Sequence, residues 1–215
     1  MCMLLNKAAI EDHNEKNGFN HQLKMAAMKA DLGNTDVLVQ LLAEFQVAIP
    51  SWALGTGGTR FGRFSGGGEP RNLEEKMEDV ALLHQLNTSS GAISLHIPWD
   101  IPENPDQIKT LAATYGLRFD AVNSNTFQDQ PNQALSYKFG SLQHVDKAVR
   151  QQAIDHNIEV IKQGVSLGST SLTVWLSDGS CFPGQLNFRK AFERTLEGLQ
   201  EIYAALPDEW KMFVE

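Results

Sequence analysis

Apolar residues recur along this chain with two rhythms. In some stretches they fall three or four positions apart, the spacing that gathers them on one face of a helix. In others they form short blocks of four to six, the length of a buried strand. Residues 1–45 carry only the first rhythm. Ala8, Ile10, Leu23, Met25, Met28 and Leu32 are scattered through a polar stretch that Gly18 and Gly33 interrupt. Asn34-Thr35-Asp36 then opens a helix with Val37, Leu38, Leu41, Leu42 and Phe45 on one face. The segment is predicted to be a helical extension, packed outside the main domain or against a partner subunit.

From residue 46 the two rhythms alternate. Strands are predicted at Gln46-Val47-Ala48-Ile49-Pro50, at Ile93-Ser94-Leu95-His96-Ile97 running into Pro98-Trp99-Asp100, at residues 118–123, at residues 171–175, and over the last residues up to Glu215. Between them lie four helices. Asn72 with Glu75 three residues on is a capping box, and the helix it opens carries Leu73, Met77, Val80 and Leu83. Asn104-Pro105-Asp106 starts the second, which Gly116 stops. The third begins near Asp146, shows the stripe Val149, Ile154, Ile158, Ile161 and Val165, and ends at Gly168. The fourth carries Phe188, Phe192, Leu196, Leu199, Ile202 and Leu206 until Pro207-Asp208 breaks it.

This order, β-α four times and then β, predicts an α/β fold with a parallel sheet over residues 46–215, behind an extension over 1–45. Five strands fit a doubly wound sheet or the first part of an eight-stranded barrel. No Gly-x-Gly-x-x-Gly joins the first strand to a helix, which counts against a dinucleotide-binding fold.

Composition narrows the function classes. The net charge is −8, so the basic face of a nucleic-acid binder is missing. No run approaches the roughly 20 apolar residues that span a bilayer, and the N-terminus lacks a signal-peptide core. Two cysteines, Cys2 and Cys181, read as free thiols of a cytoplasmic protein.

Candidate chemistry gathers at the predicted strand ends, where a barrel keeps its active site. Trp52, His96 with Trp99, Asn123 with Asn125 and Phe127, and Trp175 with Asp178 all lie at or just past such ends, and Glu215 closes the last strand. Aromatic faces stack on sugar C–H surfaces, while His, Asn and Asp bond hydroxyls. His96 is either a core histidine or a group that bonds a sugar oxygen or moves a proton. The glycine-rich loop at 51–70 lacks the Gly-Lys-Ser/Thr ending of a phosphate cradle. It fits a mobile lid carrying Arg60, Phe61 and Arg63, or a plain surface loop.

Several of these strings, taken in order, resemble the bacterial L-rhamnose isomerases of broad aldose and ketose specificity. They are Val47-Ala48-Ile49-Pro50-Ser51-Trp52, Gly55-Thr56-Gly57-Gly58-Thr59-Arg60-Phe61, Ser94-Leu95-His96-Ile97-Pro98-Trp99-Asp100, Phe119 through Phe127, Leu172-Thr173-Val174-Trp175, and Asp178 through Gln185. The resemblance implies a (β/α)8 TIM barrel of the xylose-isomerase type, usually a homotetramer, with two divalent metals, commonly Mn2+. It implies that Glu215 is a metal ligand, that Trp52, His96, Trp99, Phe127 and Trp175 line the sugar pocket, and that Phe61 reaches a neighbouring subunit's site. The implied reaction is aldose–ketose isomerisation by hydrogen transfer between C1 and C2. A sugar epimerase or dehydratase of the same superfamily is the alternative. The family's chains are about twice this length and keep further metal ligands beyond the fifth strand. The chain is therefore expected to be the N-terminal part of a longer enzyme and inactive alone.

Overall fold

A computed structural model describes residues 6–33, 35–55, 67–176, 184 and 186–215. Two helices come first. The Asn6 side chain caps α1, Lys7–Leu32, by accepting from the Ala8 N–H, and α2 spans Asp36–Glu44. Contrary to the sequence expectation, Gly18 does not interrupt α1. A glycine inside a helix costs only about 1 kcal/mol, too little to break a ladder of 26 residues. Gly33, with φ 77°, does end it. Neither helix buries a residue in this chain. On α2 the apolar row Val37, Leu38, Leu41 and Leu42 is more than half exposed, as is Phe45 just beyond it.

The alternating part follows. Its elements are β1 (Ala48–Pro50), a one-turn 3-10 helix (Ser51–Ala53), α3 (Leu73–Asn87), β2 (Ala92–Ile97), α4 (Pro105–Tyr115), β3 (Arg118–Ser124), α5 (Lys147–Leu167), β4 (Ser171–Val174), α6 (Phe188–Ala204) and β5 (Lys211–Val214). β1 is shorter than predicted, starting at Ala48. The caps read from sequence are made. Asn72 accepts from the Glu75 N–H at 2.9 Å, although Glu75 returns its carboxylate to the Arg71 N–H rather than to Asn72.

All five strands are parallel and lie in sequence order, β1-β2-β3-β4-β5. A doubly wound sheet reverses its order at a switch point; this one only advances, as a barrel does. The described residues are therefore an α/β arrangement with five parallel strands of a TIM barrel. Two apolar clusters hold helices to sheet. Leu73, Met77, Val80, Ile93, Leu95, Ile108 and Phe119 join α3 and α4 to β2 and β3. Val122, Val149, Ile161, Leu172, Val174 and Ile202 join α5 and α6 to β3 and β4. The α5 backbone comes so close to the sheet that a Cβ added at Gly164 would sit 2.7 Å from Val122 and 2.8 Å from Trp210. Parallel strands in register bring their carboxyl ends to one rim: His96 pairs with Asn123, Asn123 with Thr173, and Val174 with Val214.

Candidate functional site

Five rings meet at that rim. Trp52 rises from the 3-10 turn after β1, His96 from β2, Trp99 from the turn after it, Phe127 from the loop after β3, and Trp175 directly follows β4. His96 is the hub. Its ring stacks on Trp99 at 4.2 Å and 25°, and meets Trp52 at 5.3 Å, Phe127 at 5.7 Å and Trp175 at 6.0 Å. Phe127 and Trp175 also touch each other at 5.6 Å, and Trp52 meets Trp175 edge-on at 6.0 Å.

Polar groups fix the rings from behind. The Trp175 indole N–H donates to Asn123 Oδ1 at 3.0 Å, and the Asn123 amide donates in turn to the carbonyls of Leu95 and Ala121. The Trp175 backbone N–H donates to Ser124 Oγ, and its carbonyl accepts from the Thr126 hydroxyl. The Asn125 N–H donates to His156 Nε2 at 3.0 Å, which ties the segment bearing Phe127 to α5. Asp100 is buried with Lys76 against it at 2.7 Å, and it accepts from the Ser51 hydroxyl and from the His96 backbone N–H at 2.8 Å.

His96 is 1 % exposed, and among the described residues neither ring nitrogen has a hydrogen-bond partner. Burial pushes its pKa from 6.5 down to about 4, against the opposing pull of the Asp100 carboxylate and the Ile97 backbone. Lys76 and His156 add to the downward push. At neutral pH the imidazole is uncharged, with one donor and one acceptor unspent. Buried polar groups are rarely left so, and a pair of this kind suits a hydroxyl, which both gives and takes a proton.

The structure thus brings together Trp52, His96, Trp99, Phe127 and Trp175. Glu215 lies on the neighbouring strand end, exposed, its N–H bonded to the Val174 carbonyl and its carbonyl accepting from Leu176. Among the described residues no three of His, Cys, Asp or Glu come together as a metal site. Asp178, Arg60, Phe61, Cys2 and Cys181 lie outside the described residues. Sequence reasoning missed the buried pair of Lys76 and Asp100. Its signal was a lysine placed on the same face as Leu73, Met77 and Val80.

No family model matches the chain. At the sequence level it is 55 % identical over 180 residues to a protein of Rhizobium meliloti (strain 1021) and 54 % identical to one of Mesorhizobium japonicum, each named a probable sugar isomerase. The matches cover 84 % of this chain and 42 % of each relative, so the chain spans less than half the length of the curated relatives it matches. In fold it is similar to the D-allulose 3-epimerase of Methylomonas sp., with a TM-score of 0.54 at 14 % identity over 79 % of this chain and 50 % of that one. Its sequence relatives are sugar isomerases by name, and its fold is shared with a sugar epimerase. No helix among the described residues is long and apolar enough to cross a membrane.

Proposed function

We propose that this chain carries the ring wall of the substrate pocket of an aldose–ketose isomerase acting on neutral sugars, L-rhamnose and related 6-deoxyhexoses first. The observation that carries this is the uncharged His96, without a hydrogen-bond partner among the described residues, held among four aromatic rings. The rings offer C–H-stacking faces and a place for an apolar sugar methyl, and they exclude water. His96 offers one hydrogen bond in each direction. Nothing in the cluster invites a charged substrate. The ring nitrogens are buried from solvent, so the groups that cover them must move to admit a sugar. The kinship with named sugar isomerases supports the reaction class.

Glu215 is the carboxylate we assign to a divalent cation, Mn2+ by preference, since hard oxygen ligands suit such ions. An ion held there would polarise a sugar carbonyl as a Lewis acid. One exposed carboxylate does not make a two-metal centre, and among the described residues no three of His, Cys, Asp or Glu gather to form one. The uncovered apolar row of α2 gives a homo-oligomer a surface to use, and a homotetramer in the cytoplasm is the assembly we propose.

Tryptophan emission tests the pocket directly. Titration with L-rhamnose should give a saturable change that survives Trp210→Phe but is lost in Trp99→Ala and in Trp175→Ala. Emission that ignores the sugar, or a change carried by Trp210, would sink the reading.

A further inference from the structure

The buried ion pair of Lys76 and Asp100 is not needed to fill space. It lies beside Leu73, Met77 and Val80 on the apolar side of α3, where a well-packed pair of apolar side chains often serves stability as well or better. What the carboxylate adds is direction. Its two oxygens accept from three elements at once: the Ser51 hydroxyl on the 3-10 turn, the His96 backbone N–H on β2, and Lys76 Nζ on α3 at 2.7 Å. The Asp100 N–H donates back to the His96 carbonyl at 3.0 Å, closing the turn that holds Trp99. Ser51 is one peptide from Trp52. Three of the five rings therefore hang within one residue of a group fixed by this carboxylate. The other two, Phe127 and Trp175, are held by the separate bonds of Asn125, Asn123, Ser124 and Thr126. Asp100 is 3 % exposed, Ser51 0 % and Lys76 8 %, so water does not compete for these bonds.

We propose that Asp100 is the positioning residue of the ring box, setting Trp52, His96 and Trp99 relative to one another, and that Lys76 anchors its carboxylate to α3. The consequence for sugar affinity rests on the pocket reading above; the consequence for ring geometry does not.

The test uses the chain labelled with 5-fluorotryptophan. It has four tryptophans, so four 19F lines are assigned by single Trp→Phe replacements. Trp210 is partly buried against the apolar cluster of α5 and α6, is not one of the five rings, and is the internal reference. In the double variant Lys76→Met with Asp100→Leu, the denaturation midpoint should hold at or above the wild-type value. The Trp210 line should stay in place while those of Trp52 and Trp99 broaden and move, and affinity for L-rhamnose should fall at least ~10-fold, since small misplacements of binding groups are costly. Asp100→Asn, which keeps one acceptor oxygen, should fall between the two. A stable double variant with all four lines and the sugar affinity unchanged would overturn the proposal and leave the pair a structural filler. Should the double variant fail to fold, Asp100→Asn decides alone: moved Trp52 and Trp99 lines support the clamp, unmoved lines refute it. A wild-type chain that ignores L-rhamnose would refute the pocket reading, while the 19F lines still judge the clamp.

Discussion

Replacing His96 by phenylalanine should flatten the acid limb of the chain's stability curve. In the folded chain, burial holds the His96 pKa at about 4 against an ordinary 6.5. Acid therefore protonates His96 in the unfolded chain first. Stability from this group is complete above pH 6.5, drains away as pH falls from 6.5 to 4, and is flat below. A gap of roughly 2.5 pH units is worth about 3 kcal/mol in full, and about 2.5 kcal/mol between pH 7.5 and 4.5. Besides burial, the charged or titratable groups that act on the ring are Asp100, Lys76 and His156. All three remain in His96→Phe, so the difference between the two proteins isolates His96. Phenylalanine keeps the ring in the box and removes the titration. Urea unfolding at pH 7.5 and 4.5 is the assay. Wild type should lose about 2.5 kcal/mol more than the variant across that interval. Equal losses would mean that His96 is charged or solvated in the folded state, and the claim of a neutral hub would fail.

Two further substitutions probe the frame behind the rings. Gly164→Ala forces a Cβ to 2.7 Å from Val122 and 2.8 Å from Trp210; overpacking of about 1–3 kcal/mol should outweigh the roughly 1 kcal/mol gained in helix propensity, for a net destabilisation near 1 kcal/mol by denaturant unfolding. A stabilised variant would mean that Val122 and Trp210 yield freely. Asn123→Ala removes the acceptor of the Trp175 indole and two bonds to strand carbonyls. It should cost about 1–3 kcal/mol and shift Trp175 emission, and an unshifted spectrum would show that the ring is held by packing alone.

Much of this was legible in the sequence, for physical reasons. Apolar blocks of strand length alternating with helical stripes gave five strands and their order of types, because burial on one or both faces imposes those periods. Residues at strand ends were found because a parallel sheet sends every carboxyl end to the same rim, and register then brings Trp52, His96, Trp99, Phe127 and Trp175 within ring contact. Two kinds of feature were not legible. Gly18 read as a break because local propensity is weak, and the helix ran through it. Lys76 with Asp100 escaped because the partners are 24 residues apart and meet only after α3 docks on β2. Periodicity says which face is inward but not which inward polar groups will meet. The burial of His96 belongs to the same class: its ring neighbours come from four separate segments that meet only in the fold.

The proposed role of this ring box is to serve the transfer of hydrogen between C1 and C2 of a sugar. The most direct test supplies a ketose, L-rhamnulose, with Mn2+ to the protein purified at its native length, and follows the products by 13C NMR. New aldose signals are expected, with hydrogen gained at C2. The appearance of the C3-epimeric ketose in their place would contradict this role.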